Sequence, residues 1–145
     1  MIPALTKGKL PPGVHAASWE ELVTTFGNTP WRRDLLTGLR AGLTSLRAAG
    51  CLTVYIDGSF VTGKDIPGDF DACWDIAGVD PTLLDPVLLT FADGRAAQKA
   101  KYLGEFFPSV ADANPEGDAF LDFFQIDKET GEPKGIIALE LGGLS

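Results

Sequence analysis

The chain has 145 residues, with 20 acidic and 12 basic side chains and a formal net charge of -8 at pH 7. This length suits one compact domain, because a chain of about 150 residues buries about two-thirds of the surface that it exposes when unfolded. The acidity argues against a protein that binds nucleic acid through a broad basic surface, since such binding depends on Lys and Arg contacts to phosphates. The net charge does not exclude a local basic patch or a site that binds phosphate through metal ions.

Residues 1–17 contain several prolines and glycines and show little periodicity, which predicts an extended arm on the surface of the single domain 1–145. Ser18 and Glu21 then have the spacing of a capping box, so a short helix should begin here and end at Gly27.

A second helix is predicted from Thr29-Pro30, an N-cap followed by proline at the first helical position, to Gly50. Its apolar residues recur at steps of three and four: Leu35, Leu39, Leu43 and Leu46. Its arginines lie mostly off that stripe: Arg32, Arg33, Arg40 and Arg47.

The rest of the chain alternates between short apolar runs and turn-forming residues. Asp80-Pro81 and Asp85-Pro86 resemble helix starts, and a further helix is predicted over residues 94–103. The predicted strands are 52–56, 69–76, 119–126 and 135–141, of which the last two should form an antiparallel hairpin. These elements predict an α/β (α+β) fold with a small, mixed or mostly antiparallel sheet and helices packed on one side.

Two cysteines, Cys51 and Cys73, are too few for a disulfide scaffold, and His15 is the only histidine, so no zinc-binding spacing is present. The sequence contains no signal-peptide core and no run near the roughly 20 apolar residues that cross a membrane. We therefore expect a cytoplasmic protein with free thiols and no membrane association. A disulfide between the two cysteines is the less favoured alternative.

Asp69 and Asp71 are the first candidate site residues. Residues two apart on a strand share a face, with alpha carbons roughly 6.5 to 7 Å apart, so both carboxylates should point the same way with an apolar face behind them. Two adjacent carboxylates repel one another unless a cation compensates them, and hard oxygen ligands favour magnesium or manganese over zinc. The alternative is a polar strand edge that faces solvent.

Gly58-Ser59 follows the predicted strand 52–56 after one residue, Asp57, and nine residues separate Ser59 from Asp69. Glycine allows the backbone to approach a phosphate closely, and the serine hydroxyl and nearby amides can donate hydrogen bonds to its oxygens. Lys64, in the same loop, and Lys99, on the later helix, are further candidate nucleotide-binding residues. A solvated surface is the alternative for both lysines.

This layout of strand, Gly-Ser, short loop and Asp-x-Asp strand resembles the signature of the DNA polymerase beta nucleotidyltransferase superfamily, over residues 54–75. Asp57 departs from it, because a hydrophobic residue is usual there. A wider resemblance, to a small uncharacterised bacterial and phage family of that superfamily, rests on five segments: Leu10-Pro-Pro-Gly-Val-His15, Tyr55-Ile-Asp-Gly-Ser-Phe-Val61, Pro67-Gly-Asp-Phe-Asp71, Gln98-Lys99 and Gly104-Glu-Phe-Phe-Pro108.

The resemblance implies that Asp69 and Asp71 hold two metal ions and that Gly58 and Ser59 bind a triphosphate. It also implies a third carboxylate on a later strand, which shares a metal and helps to deprotonate the attacking hydroxyl. Asp122 is the candidate, because it is the only acid within the apolar stretch of the predicted strand 119–126, where a buried carboxylate needs a cation or hydrogen bonds. The alternative is an acid at a hairpin edge, paired with a lysine.

The expected function is a metal-dependent nucleotidyltransferase that moves a nucleoside monophosphate from an NTP to a hydroxyl of RNA, a protein or a small molecule. Short relatives in the superfamily often act in toxin-antitoxin pairs, so a partner protein or a homo-oligomer could supply the missing acceptor surface. The alternatives are a catalytically inactive module of this fold that acts by binding a partner, and a metal-dependent phosphohydrolase.

Overall fold

The computed structural model describes residues 2–111 and 113–144. Within them the chain forms five strands: β1 (Gly13–Ala17), β2 (Thr53–Asp57), β3 (Phe70–Trp74), β4 (Gly104–Pro108) and β5 (Gly135–Glu140). It also forms four α-helices: α1 (Trp19–Phe26), α2 (Pro30–Ala48), α3 (Ala92–Tyr102) and the single turn α4 (Phe120–Phe123). No helix in these residues is long and apolar enough to cross a membrane.

The strands form one open mixed sheet in the order β1-β5-β2-β3-β4. The central pairs β5–β2 and β2–β3 are antiparallel, whereas the edge strands β1 and β4 run parallel to their neighbours. This confirms the predicted α/β class with a mixed sheet.

The first two helices begin where the sequence predicts. Ser18 and Glu21 form a capping box at the start of α1, and the Thr29 side chain accepts a hydrogen bond from the Arg32 backbone N–H at the start of α2. The four predicted core leucines of α2 are fully buried: Leu35, Leu39, Leu43 and Leu46.

Most of the core lies between these helices and one face of the sheet, to which Val54, Phe70, Phe106 and Ile137 contribute. The opposite face carries a smaller cluster, in which Phe120 and Phe124 from the α4 region pack on Phe107 of β4. The prediction of helices on one side is therefore incomplete, since α4 covers part of the second face.

The structure corrects three predicted elements. Residues 13–17 of the predicted arm form edge strand β1, which pairs with β5. The predicted strand 119–126 is wrong, because Phe120 and Phe124 place their rings on Phe107 at the four-residue spacing of a helical turn. The predicted hairpin is wrong as well, because β5 pairs with β1 and β2 instead.

Arg32 of α2, which the pattern places off the apolar stripe, is only 3% exposed. Its guanidinium donates hydrogen bonds to the carbonyl oxygens of Phe26, Phe60, Thr62 and Lys64, at 3.3, 2.7, 2.8 and 2.6 Å. Three of these carbonyls belong to the loop between β2 and β3. Arg32 therefore fixes that loop to the start of α2.

Replacing Arg32 by methionine should destabilise the fold by about 2–4 kcal/mol, because buried carbonyl oxygens lose their donors. Arg33→Met is the matched control, since the exposed Arg33 guanidinium donates one hydrogen bond, to the Gly27 carbonyl, and its loss should cost at most about 0.5 kcal/mol. Urea unfolding followed by circular dichroism measures both variants. Equal midpoints for the two would contradict the role given to Arg32.

Candidate metal and phosphate site

Three acidic residues lie side by side across the sheet. In the strand register Asp57 of β2 is opposite Asp71 of β3, and Asp71 is opposite Glu105 of β4. Directly paired residues point to the same face of a sheet, so the three carboxylates form one row. Phe70 and Ala72 lie on the other face and are fully buried, as the sequence predicts.

Asp69, Asp71 and Glu105 offer carboxylate oxygens that all lie within 4.8 Å of one another, and each side chain is partly buried. Ligand oxygens sit about 2.0–2.1 Å from magnesium, so small side-chain rotations would place all three around one ion. A set of hard carboxylate oxygens without His or Cys fits magnesium or manganese. These residues therefore form the candidate metal centre.

The carboxylates of this centre repel one another when they are ionised. Burial, and then the charges of Asp69, Glu105 and Asp57, raise the pKa of the Asp71 carboxyl to about 7. Burial and the charge of Glu105 also raise the pKa of Asp69. A bound cation would remove this repulsion, as expected of a metal site.

Basic residues already compensate both ends of the row. Lys134 donates to Asp57 at 2.6 Å. Glu105 forms ion pairs with Arg95 and, at 3.3 Å, with Lys99. Asp71, in the middle, and the neighbouring Asp69 form no ion pair within residues 2–111 and 113–144, so the acids without a basic partner are these two.

The Gly-Ser turn lies directly against this row. Gly58 has φ of 88°, and a Cβ at this position would come within 3.0 Å of the Asp71 backbone nitrogen and 3.1 Å of its Oδ2. The position therefore requires glycine both for its backbone angle and for the close approach. The Ser59 hydroxyl accepts from the Gly68 N–H at 3.2 Å and lies 3.5 Å from the Asp69 carbonyl, to which it donates, so it ties the turn to the start of β3.

The turn and Asp71 line a cleft of about 280 Å³. The remaining wall comes from the N-terminal arm and from the loop between α4 and β5. The charged residues of this wall are Lys9, Asp127, Lys128, Glu129 and Lys134. Phosphate groups of a ligand in this cleft would lie among the Gly-Ser turn and three lysines.

Asp122 does not join the acidic group. It is exposed on α4 and lines a separate groove with Asp118 and Ile126. The third carboxylate of the cluster is Glu105. Sequence reasoning missed it because the segment 104–108, which contains a glycine and a proline, was not recognised as a strand next to β3.

The two predicted lysines have different positions. Lys99 of α3 reaches the site through its ion pair with Glu105. Lys64 lies outside the cleft, in a groove with Arg32 and Asp65 near the start of α2. Lys128, which the sequence did not single out, lines the cleft instead.

The raised pKa of the Asp71 carboxyl predicts how the stability of the metal-free protein depends on pH. Its pKa is higher in the folded chain than the ordinary 3.8, so the folded state binds more protons between about pH 4 and 7 and stability falls as pH rises through that range. Asp71→Asn, which carries no charge, should therefore be more stable than the wild type at pH 8 in EDTA, by about 1–2 kcal/mol after solvent screening. The gain should vanish near pH 4. Thermal unfolding at both pH values measures it, and a gain of the same size at both would contradict this account.

Comparison with known proteins yields a family without an assigned activity. No curated protein matches the chain, and no solved structure matches it. The profile of a family of unknown function, DUF6932, matches residues 3–140, a range that includes the Gly-Ser turn and all three clustered carboxylates. The chain therefore belongs to this family of unknown function, DUF6932.

Proposed function

We propose that the protein is a metal-dependent nucleotidyltransferase, which moves a nucleoside monophosphate from an NTP to a hydroxyl group. The observation that carries the proposal is the cluster of Asp69, Asp71 and Glu105 within 4.8 Å, directly beside the Gly58-Ser59 turn. The third acid comes from a later strand beside the Asp-x-Asp strand, which is the arrangement that the superfamily resemblance implies.

In this proposal the three carboxylates hold magnesium or manganese, which would neutralise charge on the phosphates. The acceptor hydroxyl oxygen bonds to the α-phosphorus while the bond from that phosphorus to the bridging oxygen breaks, and pyrophosphate leaves. The hydroxyl proton passes to a carboxylate of the cluster. The backbone around Gly58 holds the phosphate chain in line, so the protein contributes mainly positioning and charge compensation.

The surroundings of the site favour a protein acceptor over RNA. A groove of about 440 Å³ shares Lys128 with the phosphate cleft, and its other lining residues include Asp118, Asp122, Phe123 and Ile126. The two acids would repel the phosphates of an RNA backbone, whereas acids beside apolar surface suit a polypeptide segment with basic and apolar side chains. This agrees with the partner protein expected for a member of a toxin-antitoxin or defence pair.

A cytoplasmic location is part of the proposal. An NTP-dependent reaction needs the compartment that supplies NTPs, and Cys51 and Cys73 are buried free thiols, as is usual in reducing compartments.

One observation favours the second candidate, an inactive module that binds a partner. Glu105 already forms ion pairs with Arg95 and Lys99, so two basic side chains supply part of the compensation that a metal would give. Metal and nucleotide affinity distinguish the two candidates, because a module of this kind needs neither.

Nucleotide binding in the presence of magnesium tests the site. Isothermal titration should show NTP binding to the wild type, a loss of at least about tenfold in Asp71→Ala and Glu105→Gln, and little change in Asp122→Asn. Asp122→Asn is the matched control, because it removes one exposed acid outside the cluster. No affinity of the wild type for any NTP would favour the inactive module, and a loss limited to Asp122→Asn would contradict the assignment of Glu105.

Label transfer tests the reaction and its acceptor. Incubation with each α-labelled NTP and magnesium in a total cell lysate should label a protein band, and Asp71→Ala should abolish the label. Label in RNA would overturn the proposed acceptor class. Free nucleotide or phosphate with no labelled acceptor would indicate a phosphohydrolase.

A further inference from the structure

Three lysines line the phosphate cleft, and two of them are already engaged. Lys9 forms an ion pair with Asp127, and Lys134 forms one with Asp57. Lys128 is exposed and forms no ion pair with any residue of 2–111 or 113–144. Among the lysines lining the cleft, it is the one whose ammonium group remains available to a ligand.

The turn that carries Lys128 is held firmly. The Asp127 backbone N–H donates to the Glu132 carbonyl at 2.8 Å, and the Gly131 N–H donates back to the Asp127 carbonyl at 2.8 Å. The Asp127 side chain accepts from the Glu129 N–H at 2.9 Å and pairs with Lys9. A lysine on such a closed turn needs little ordering of its backbone when a ligand binds, which favours binding.

Lys128 also lies close enough to the acid row to act on it electrostatically. It lines the same cleft as Asp57 and Asp71 of the row. The Gly-Ser turn, Asp71 and Lys128 therefore line one common cleft. A ligand that contacts both the turn and Lys128 must be anionic where it meets the lysine. It also needs metal ions that offset its repulsion from the carboxylates beside it.

We propose that Lys128 binds the phosphate chain of the nucleotide, in the cleft that it lines together with the Gly58-Ser59 turn. This deepens the proposed function and rests on it. The cleft volume of about 280 Å³ is at the lower limit of small-molecule sites, so it suits a phosphate chain and leaves the base and sugar outside. Lys128 thus takes the role that the sequence assigned to Lys64, which lies in a different groove.

Titration calorimetry with two probes tests this assignment. Mg·ATP and Mg·triphosphate are titrated into the wild type, Lys128→Ala, Lys128→Arg and Lys64→Ala. We expect Lys128→Ala to weaken both ligands by the same factor of about tenfold or more, because the lost contact is a charge-assisted hydrogen bond to phosphate. Lys128→Arg, which keeps the charge, should lose at most about threefold, and Lys64→Ala should lose at most about twofold. Circular dichroism checks that the exposed substitutions leave the fold intact.

The outcomes separate this inference from the proposed function. Wild-type affinity that Lys128→Ala leaves unchanged would overturn the role of Lys128 alone. Weaker binding of Mg·ATP without weaker binding of Mg·triphosphate would also overturn it, because the contact would then be to base or sugar. A wild type that binds neither probe nor any other NTP would overturn both the inference and the proposed function.

Discussion

The repulsion among carboxylates that the strand register places side by side is the constraint on which the site depends. Asp57, Asp71 and Glu105 share one face of the sheet because their strands pair directly. Basic side chains form ion pairs with the two ends, whereas the partly buried central acid, Asp71, forms none within residues 2–111 and 113–144 and has a pKa raised to about 7. A sheet that needed these residues only for stability would gain from replacing the central acid with a neutral residue. Its presence is the physical argument for a ligand cation.

The position of the Gly-Ser turn depends on α2 as much as on the strands. Arg32 holds the carbonyls of the loop, and the Trp31 indole N–H donates to the Pro67 carbonyl at 2.6 Å. Two adjacent residues at the helix start thus fix both ends of the segment between Ser59 and Asp69. A loop of this length would otherwise sample many conformations, and the turn would lose its contact with Asp71.

The sequence predicted what depends on local spacing and missed what depends on neighbours across the sheet. The caps of α1 and α2, the leucine stripe and the shared face of Asp69 and Asp71 follow from helix and strand periodicity. Asp122 and Glu105 both lie beside phenylalanines in apolar stretches, so local pattern did not separate them. The difference is that Glu105 pairs with Asp71 in register whereas Asp122 lies on a helical turn, and strand order decides such pairing.

The ion pair between Lys9 and Asp127 connects the N-terminal arm with the phosphate cleft. The arm continues into β1, an edge strand whose outer side has no partner strand among residues 2–111 and 113–144. A protein that added a strand there and displaced the arm would separate Lys9 from Asp127 and leave this carboxylate without its lysine. Occupancy of the sheet edge and the binding of an anion in the cleft would then be thermodynamically linked, because the freed Asp127 carboxylate would add negative charge to the cleft wall.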